Sequence, residues 1–479
     1  MNAHPATVTD IPAIMAGLKA KAPALKASSA ADRAARINTL VDAVLQNRER
    51  LYQASHQERG TCDMDVAAEL MMLDMERKFF VKNLKKWMGP QRVKGSLASM
   101  GKKSYILYEP KGVVLNLSTW NAPAVIGLYP LLPAIAAGNA CVLKPSELAP
   151  FSATVLREII ESVFPRDEFA VLEGGPDVAQ ALLEQPFDHI YFTGGHRVGR
   201  IVMEKAAQHF TSVTLEMGGK SPAIVDESVN VENAAKKITW GRLANAGQMC
   251  VACDYALVPR GLEKTMVDAL IDATNAMYNA DGQGFDKAPE FARLINDTHY
   301  NRVCGLIDEA VEKGATIALG GDRDPASRYI APTILTNVTE DMRCMNEEIF
   351  GPVLPVMAYD NRDEVIDIIG RRPKPLALYV YGTNRDNMDW FVNHTSAGST
   401  VLNHNCVQSG TNPNLPFGGV GASGMGRMGG FRGFQEMSNA RALMVQPLDR
   451  LRDMAINFPP YSDRYKGMIM GALAKGDKT

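Results

Sequence analysis

The chain is short of the features that would place it in several broad classes. Charge is balanced, with 51 Lys and Arg against 53 Asp and Glu and a formal net charge of −2. A nucleic-acid binder shows a basic excess or patch, so no nucleic-acid partner is expected. Long apolar runs are missing. The most hydrophobic stretch, 122–138, carries Pro123, Pro130 and Pro133 and is shorter than a bilayer span. It reads as a buried strand end, turn and helix, and no membrane partner is expected. There is no disulfide framework: the 7 cysteines are scattered and odd in number, which points to a reducing compartment, the cytoplasm. A signal-peptide core is absent. The N-terminal stretch, rich in Ala and Lys, bears a faint similarity to a transit peptide, but Ile11, Met15, Leu18 and Leu25 fall at helical spacing, and a surface helix is the simpler reading. The 8 histidines include no His-x-x-x-His, and there is no second Cys-x-x-Cys, so no metal site is expected. No internal repeat or low-complexity linker interrupts the chain.

What is present is alternation. At 479 residues the chain exceeds one core, so two or more domains are expected. Residues 31–87 read as helices of period near 3.6. Between Gly89 and Gly112 the texture turns to short strands, a candidate hairpin arm. From Gly112 strands alternate with helices: 113–117, 140–143, 169–172 and 189–192 are strand-like, and 151–163 and 177–184 helical. This predicts an α/β fold with a parallel sheet, whose ligands bind beyond the carboxyl ends of the strands. Two loops fall there. Lys144-Pro145-Ser146-Glu147 can hydrogen-bond a ribose diol. Thr193-Gly194-Gly195-His196-Arg197-Val198-Gly199 leads into a helix from Arg200 and can approach a pyrophosphate, although a plain tight turn also explains it. A second α/β region runs from Ser221 to Asn405. Residues 406–433 read as a glycine-rich loop, and beyond a strand at 441–445 the chain reads as an irregular tail.

Two segments carry reactive groups. Gly247-Gln248-Met249-Cys250-Val251-Ala252-Cys253 follows an amphipathic helical run, 231–243, and sets a cysteine beside flexible backbone. Helix dipoles and nearby cations can favour its thiolate. In Thr214-Leu215-Glu216-Met217-Gly218-Gly219-Lys220, a lone carboxylate ends an apolar strand and can activate water. A thiol and such a carboxylate suffice for covalent catalysis with a hydrolytic second half. The Cys250 and Cys253 pair also permits a redox role.

Seven motifs stand in order along the chain: Trp120-Asn121, Lys144-Pro145-Ser146-Glu147, Phe192-Thr193-Gly194-Gly195, Leu215-Glu216-Met217-Gly218-Gly219-Lys220, Gly247-Gln248-Met249-Cys250, Glu348-Ile349-Phe350-Gly351-Pro352 and Pro416-Phe417-Gly418-Gly419. In these motifs and their order the chain resembles the aldehyde dehydrogenase superfamily over residues 30–447. The cysteine loop is most similar to the class 3 branch, and the Gly- and Met-rich segment after Phe417 to its coniferyl aldehyde group. The resemblance implies a Rossmann-type dinucleotide-binding domain (1–88 and 113–217), a catalytic domain (218–405), an oligomerisation arm (89–112 and 438–447), an active-site loop region (406–437) and a tail (448–479). It implies Cys250 as nucleophile, Asn121 with the Cys250 N–H as oxyanion donors, and Glu216 as the base for thioester hydrolysis. For the cofactor it implies Gly194, Gly195 and Gly199 at the pyrophosphate, Lys144 and Glu147 at the adenosine ribose, and Glu348 with Phe350 at the nicotinamide end. Glu147 favours NAD, with NADP possible. A small aldehyde substrate and a homodimer are expected. Trp120 either shapes the substrate entry or only packs; His196 is expected at the surface and His404 near the site. A CoA-acylating relative and a non-catalytic protein on the same fold remain the alternatives; Glu216 speaks against the first, and Cys250 together with Glu216 against the second.

Overall fold

A computed structural model describes residues 7–96, 99, 102–408, 411–447 and 459–476. Its frame is two α/β sheets with a smaller antiparallel sheet beside them. Strands Val113–Leu117 and Ala140–Lys144 are buried at every position, which suits apolar runs covered on both faces. They belong to a six-stranded sheet in the order Gly424–Met425, Ser212–Met217, His189–Gly194, Val113–Leu117, Ala140–Lys144, Phe169–Val171. Every pairing is parallel except that of the edge strand Gly424–Met425. Alternate residues of these strands face opposite layers. Leu115 and Val142 meet the helix Ile11–Ala27, while Val114, Cys141 and Leu143 meet helices Ala30–Gln46 and Asp63–Met88.

The expected N-terminal helix therefore lies on the sheet. Ile11, Met15, Leu18 and Leu25 are all buried there. Each such side chain contributes about 1.5 to 3 kcal/mol. Their sum exceeds the cost, about 3 kcal/mol, of carrying Pro23 inside the helix.

The second sheet has seven strands in the order Thr316–Leu319, Thr333–Thr336, Val353–Tyr359, Tyr255–Pro259, Pro222–Val225, Ala377–Tyr381, Ser399–Leu402. It is parallel but for Thr316–Leu319. Helices Val231–Leu243 and Glu263–Tyr278 cover one face; Asp297–Glu312 and Arg362–Gly370 cover the other. The third sheet joins Gln91–Val93, Lys103–Pro110 and Ser438–Val445, bringing together the two segments expected to form an arm.

Several local expectations need correction. The 122–138 run is two short helices, Pro123–Leu128 and Leu131–Ala137, with no strand end. The helix after the glycine turn begins at His196, not Arg200, because Gly195 already takes the extended cap conformation. The 406–433 segment is not wholly loop: it contributes the strand Gly424–Met425 and starts the helix Gly430–Glu436. Of the tail, 448–458 lies outside the described residues, and the part read as irregular contains the helix Asp463–Gly476. Among the described residues no helix is long and apolar enough to cross a membrane.

Candidate active site

The register of the first sheet gathers the expected residues at one end. Leu117 pairs with both Lys144 and Phe192, and Thr193 pairs with Glu216. Lys144, the loop to Trp120 and Asn121, the glycine turn and Glu216 thus all lie at the carboxyl edge. Lys144 is buried, and its Nζ donates to Glu147 Oε2 at 2.7 Å, leaving Glu147 about half exposed. Helix His196–Gln208 has no side-chain cap, and a Cβ on Gly195 would meet nothing within 4 Å. Open ground therefore lies at the positive end of a helix dipole. A Cβ on Gly199 would approach Met217 Sδ to 2.6 Å, so its bare backbone lets the helix seat on the sheet. Gly194 packs under the Phe192 ring, where a Cβ would fall at 2.6 Å. Open space, a bare helix start and a cation–carboxylate pair together fit a dinucleotide.

The cysteine loop is set by backbone that few residues tolerate. After helix Val231–Leu243, Asn245 and Ala246 are both left-handed at φ 50, and Gly247 follows at φ 73. A Cβ on Gly247 would overlap the Gly351 carbonyl, so only glycine fits. The buried Gln248 side chain donates to the Asn245 and Arg293 carbonyls, both at 3.0 Å, and accepts from the Ile295 N–H at 3.1 Å. Its carbonyl accepts from Asn121 Nδ2 at 3.0 Å. That bond places the expected oxyanion amide on the cysteine loop. Cys250 is partly exposed, whereas Cys253 is buried with its Sγ 3.3 Å from Asn405 Nδ2. Burial pushes the Cys250 thiol well above its ordinary value, and the carboxyls of Glu216 and Glu348 push it further. This corrects the expectation that cations favour the thiolate: the charges acting most on this sulfur are negative.

Glu216 is buried, and its Oε1 has no protein partner. Burial pushes its carboxyl up to about 8; Arg427 and the Gly419 N–H partly oppose the shift. Its strand is held by Gly424–Met425 alongside and by Thr214, whose Oγ1 donates to Glu436 Oε1 at 2.7 Å. Glu348 packs where a Cβ on Gly218 would overlap its carboxylate. Its carboxyl is also raised to about 8, by burial and Asp254, against the Gly219 N–H, Lys220 and Arg302. Glu348 Oε1 is a second buried acceptor without a protein partner. Phe350 takes φ 47 and meets the Trp120 ring edge-on at 5.5 Å.

The model of the aldehyde dehydrogenase family matches residues 1–443. The chain belongs to the aldehyde dehydrogenase family. It is similar to aldehyde dehydrogenase family 3 member B1 of Rattus norvegicus, at 38% identity over 93% of this chain and 94% of that one. It is also similar to the 4,4'-diaponeurosporen-aldehyde dehydrogenase of Staphylococcus aureus, at 40% identity over 80% of this chain and 82% of that one. Among solved structures, the substrate-bound Staphylococcus aureus AldH superimposes with a TM-score of 0.91 at 36% identity, covering 96% of this chain and 99% of that one. The Mycobacterium tuberculosis aldehyde dehydrogenase complexed with NAD+ gives a TM-score of 0.83 at 28% identity, covering 92% and 91%.

In this family member, the other residues singled out by the motifs and the histidines lie less centrally. Trp120 is buried between His299 and Phe350, which fits packing as well as shaping an entry. His196 is exposed. His404 stands edge-on to Trp240 and accepts the Asn405 N–H at 2.9 Å. Residues given no role by the motifs do much of the bracing. Asp254 accepts from Lys220 Nζ at 2.6 Å, Arg242 Nη1 at 2.7 Å and the Ile349 N–H at 3.2 Å. This buried cluster fastens the end of the Glu216 segment to the cysteine loop and to the segment bearing Glu348. Buried ion networks leave no periodic trace in one sequence.

Proposed function

We propose that this aldehyde dehydrogenase oxidises a bulky apolar aldehyde to the carboxylic acid, with Cys250 as nucleophile, Asn121 as oxyanion donor and Glu216 as hydrolytic base. The observation that carries the reading is Glu216: a buried carboxyl with a free Oε1, raised to about 8, whose negative charge helps to raise the Cys250 thiol. The Cys250 sulfur, once deprotonated, attacks the aldehyde carbon to form a tetrahedral thiohemiacetal. Asn121 Nδ2 spends one hydrogen on the Gln248 carbonyl and has the other for the oxyanion, alongside the Cys250 N–H. When bound, an oxidised nicotinamide supplies the acceptor for the hydride that leaves this carbon. The product on Cys250 is a thioester. Glu216 takes a proton from water, the hydroxide attacks the thioester carbonyl, and the acid departs as the thiolate is restored.

Lys144, Glu147, Gly194, Gly195 and Gly199 would hold the adenosine half of the cofactor, and Glu348 with Phe350 the nicotinamide half. The partly exposed Glu147 carboxylate disfavours a 2′-phosphate and supports NAD, with NADP as the second cofactor to test. An aromatic substrate such as coniferyl aldehyde is supported by the residues after Phe417, and a bulky aldehyde by the 4,4'-diaponeurosporen-aldehyde in the name of the Staphylococcus aureus relative. The free thiols suit the cytoplasm. The exposed edge of Ser438–Val445 supports a homodimer.

Rapid-mixing kinetics with coniferyl aldehyde, benzaldehyde and short and long alkanals, each with NAD and NADP, test this reading. Cys250→Ala should yield neither reduced cofactor nor acid. Glu216→Gln should keep a first turnover of reduced cofactor and lose acid release by at least about a hundredfold. Acid formation by Cys250→Ala would overturn the assignment, and acyl transfer to coenzyme A in place of water would replace it with the acylating reaction.

A further inference from the structure

Asn245 occupies the corner between helix Val231–Leu243 and the cysteine loop, buried and left-handed at φ 50, ψ 35. Its Nδ2 donates to the Asn121 carbonyl at 2.9 Å and to the Gln248 carbonyl at 3.3 Å. Its Oδ1 accepts from Arg59 Nε at 3.2 Å. Arg59 is itself buried and donates Nη1 to the Trp120 carbonyl at 3.2 Å. Glu58, Asp65 and Glu69 offset its charge. One side-chain amide thus bridges the two segments that carry the proposed oxyanion donors, and one guanidinium orients that amide while gripping the first segment again.

We propose that Asn245, oriented by Arg59, is a positioning residue that sets the Asn121 amide at its working separation from the Cys250 N–H. The inference rests on the roles proposed above for Cys250 and Asn121. Without the bridge, the hydrogen bond from Asn121 Nδ2 to the Gln248 carbonyl is left to tie the Asn121 amide to the loop among the described residues. Losing an oxyanion donor slows acyl chemistry about 100- to 1000-fold. Misplacing one by about 1 Å is similarly expensive, near 100-fold. A loss of about 10- to 100-fold is therefore expected for a donor loosened rather than removed. Asparagine also tolerates the left-handed backbone better than most residues, and that alone would account for its presence. Glycine and aspartate tolerate it too, which makes the two explanations separable.

The full-length protein carrying Asn245→Gly keeps the corner and loses the amide. Asn245→Asp keeps the acceptor for Arg59 and turns the donor towards the two carbonyls into another acceptor. Both should acylate about 10- to 100-fold more slowly in the first turnover with aldehyde, with KM moved less than about threefold. Alkylation of Cys250 by iodoacetamide, which forms no oxyanion, should stay within about twofold. Because the effect runs through Asn121, Asn121→Ala combined with Asn245→Gly should be no slower than Asn121→Ala alone. Arg59→Lys, a change from the other side of the bridge, should slow acylation and spare alkylation in the same way. The proposal is overturned if both Asn245 variants acylate within about twofold of wild type, if alkylation falls in step with acylation, or if the double variant shows the product of the single losses. Cys250→Ala and Asn121→Ala run alongside: normal acylation in those would sink the site assignment itself, whereas their collapse beside a normal Asn245→Gly would sink only the bridge.

Discussion

Glu216 is raised to about 8, so over much of the neutral range it is largely the acid and cannot take a proton from water. Acyl-enzyme hydrolysis should climb with pH towards a plateau above about 8, and Glu216→Gln should lack that limb; single-turnover acid release across pH measures it. Stability runs the other way. The folded value lies above the ordinary 4.5, so the stabilisation linked to this proton is full below about 4.5 and is lost as pH rises through about 8. Glu348, also raised to about 8, acts in the same sense. The melting temperature of the ligand-free protein should fall over that window, and Glu216→Gln or Glu348→Gln should flatten the fall. Gly247→Ala would force a side chain onto the Gly351 carbonyl at φ 73 and should destabilise by more than about 1 kcal/mol in urea unfolding. Cys250, Glu216 and Asn121 were legible as candidates because each sits in a motif of distinctive order. Asn245, Arg59 and Asp254 were not, because a buried amide or ion reveals itself only by what folds against it.

At the scale of elements, strands were the most legible, since Val113–Leu117 and Ala140–Lys144 spell out burial in their composition. Glycine-rich pieces were the least. Gly424–Met425 reads as loop, yet a Cβ at Gly424 would overlap the Leu215 carbonyl, so glycine is what admits this strand beside Glu216. The helix Asp463–Gly476 was missed for another reason: Met468, Ile469, Met470 and Leu473 all stay exposed, so no core-facing stripe announces it. Gly199→Val should lift the helix His196–Gln208 off Met217. The expected result is a several-fold rise in KM for cofactor with little change in KM for aldehyde, read from steady-state titrations.

At the scale of the molecule, the Lys220–Asp254–Arg242 cluster ties the link between the two large sheets to the second sheet and its covering helix. Asp254→Ala strands two buried cations and should cost about 3 to 5 kcal/mol of stability, measured by denaturant unfolding. The arm was legible as two segments, 89–112 and 438–447, because the family resemblance grouped them. What the sequence could not convey is the register: Ser438–Val445 pairs along the whole of Lys103–Pro110 and leaves Leu443, Met444 and Val445 exposed. Met444→Lys with Leu443→Lys should convert the proposed homodimer to monomer in sedimentation, with the melting temperature little changed.

The hydrogen bond from Thr214 to Glu436 gives that arm a second meaning. Glu436 closes the short helix from which the arm departs, and Thr214 lies two residues before Glu216. Tension at the seam of the proposed homodimer would thus travel through one contact to the strand that bears the proposed hydrolytic base. Dilution would then act as an inhibitor, slowing turnover at the release of acid while leaving the first reduction of cofactor untouched.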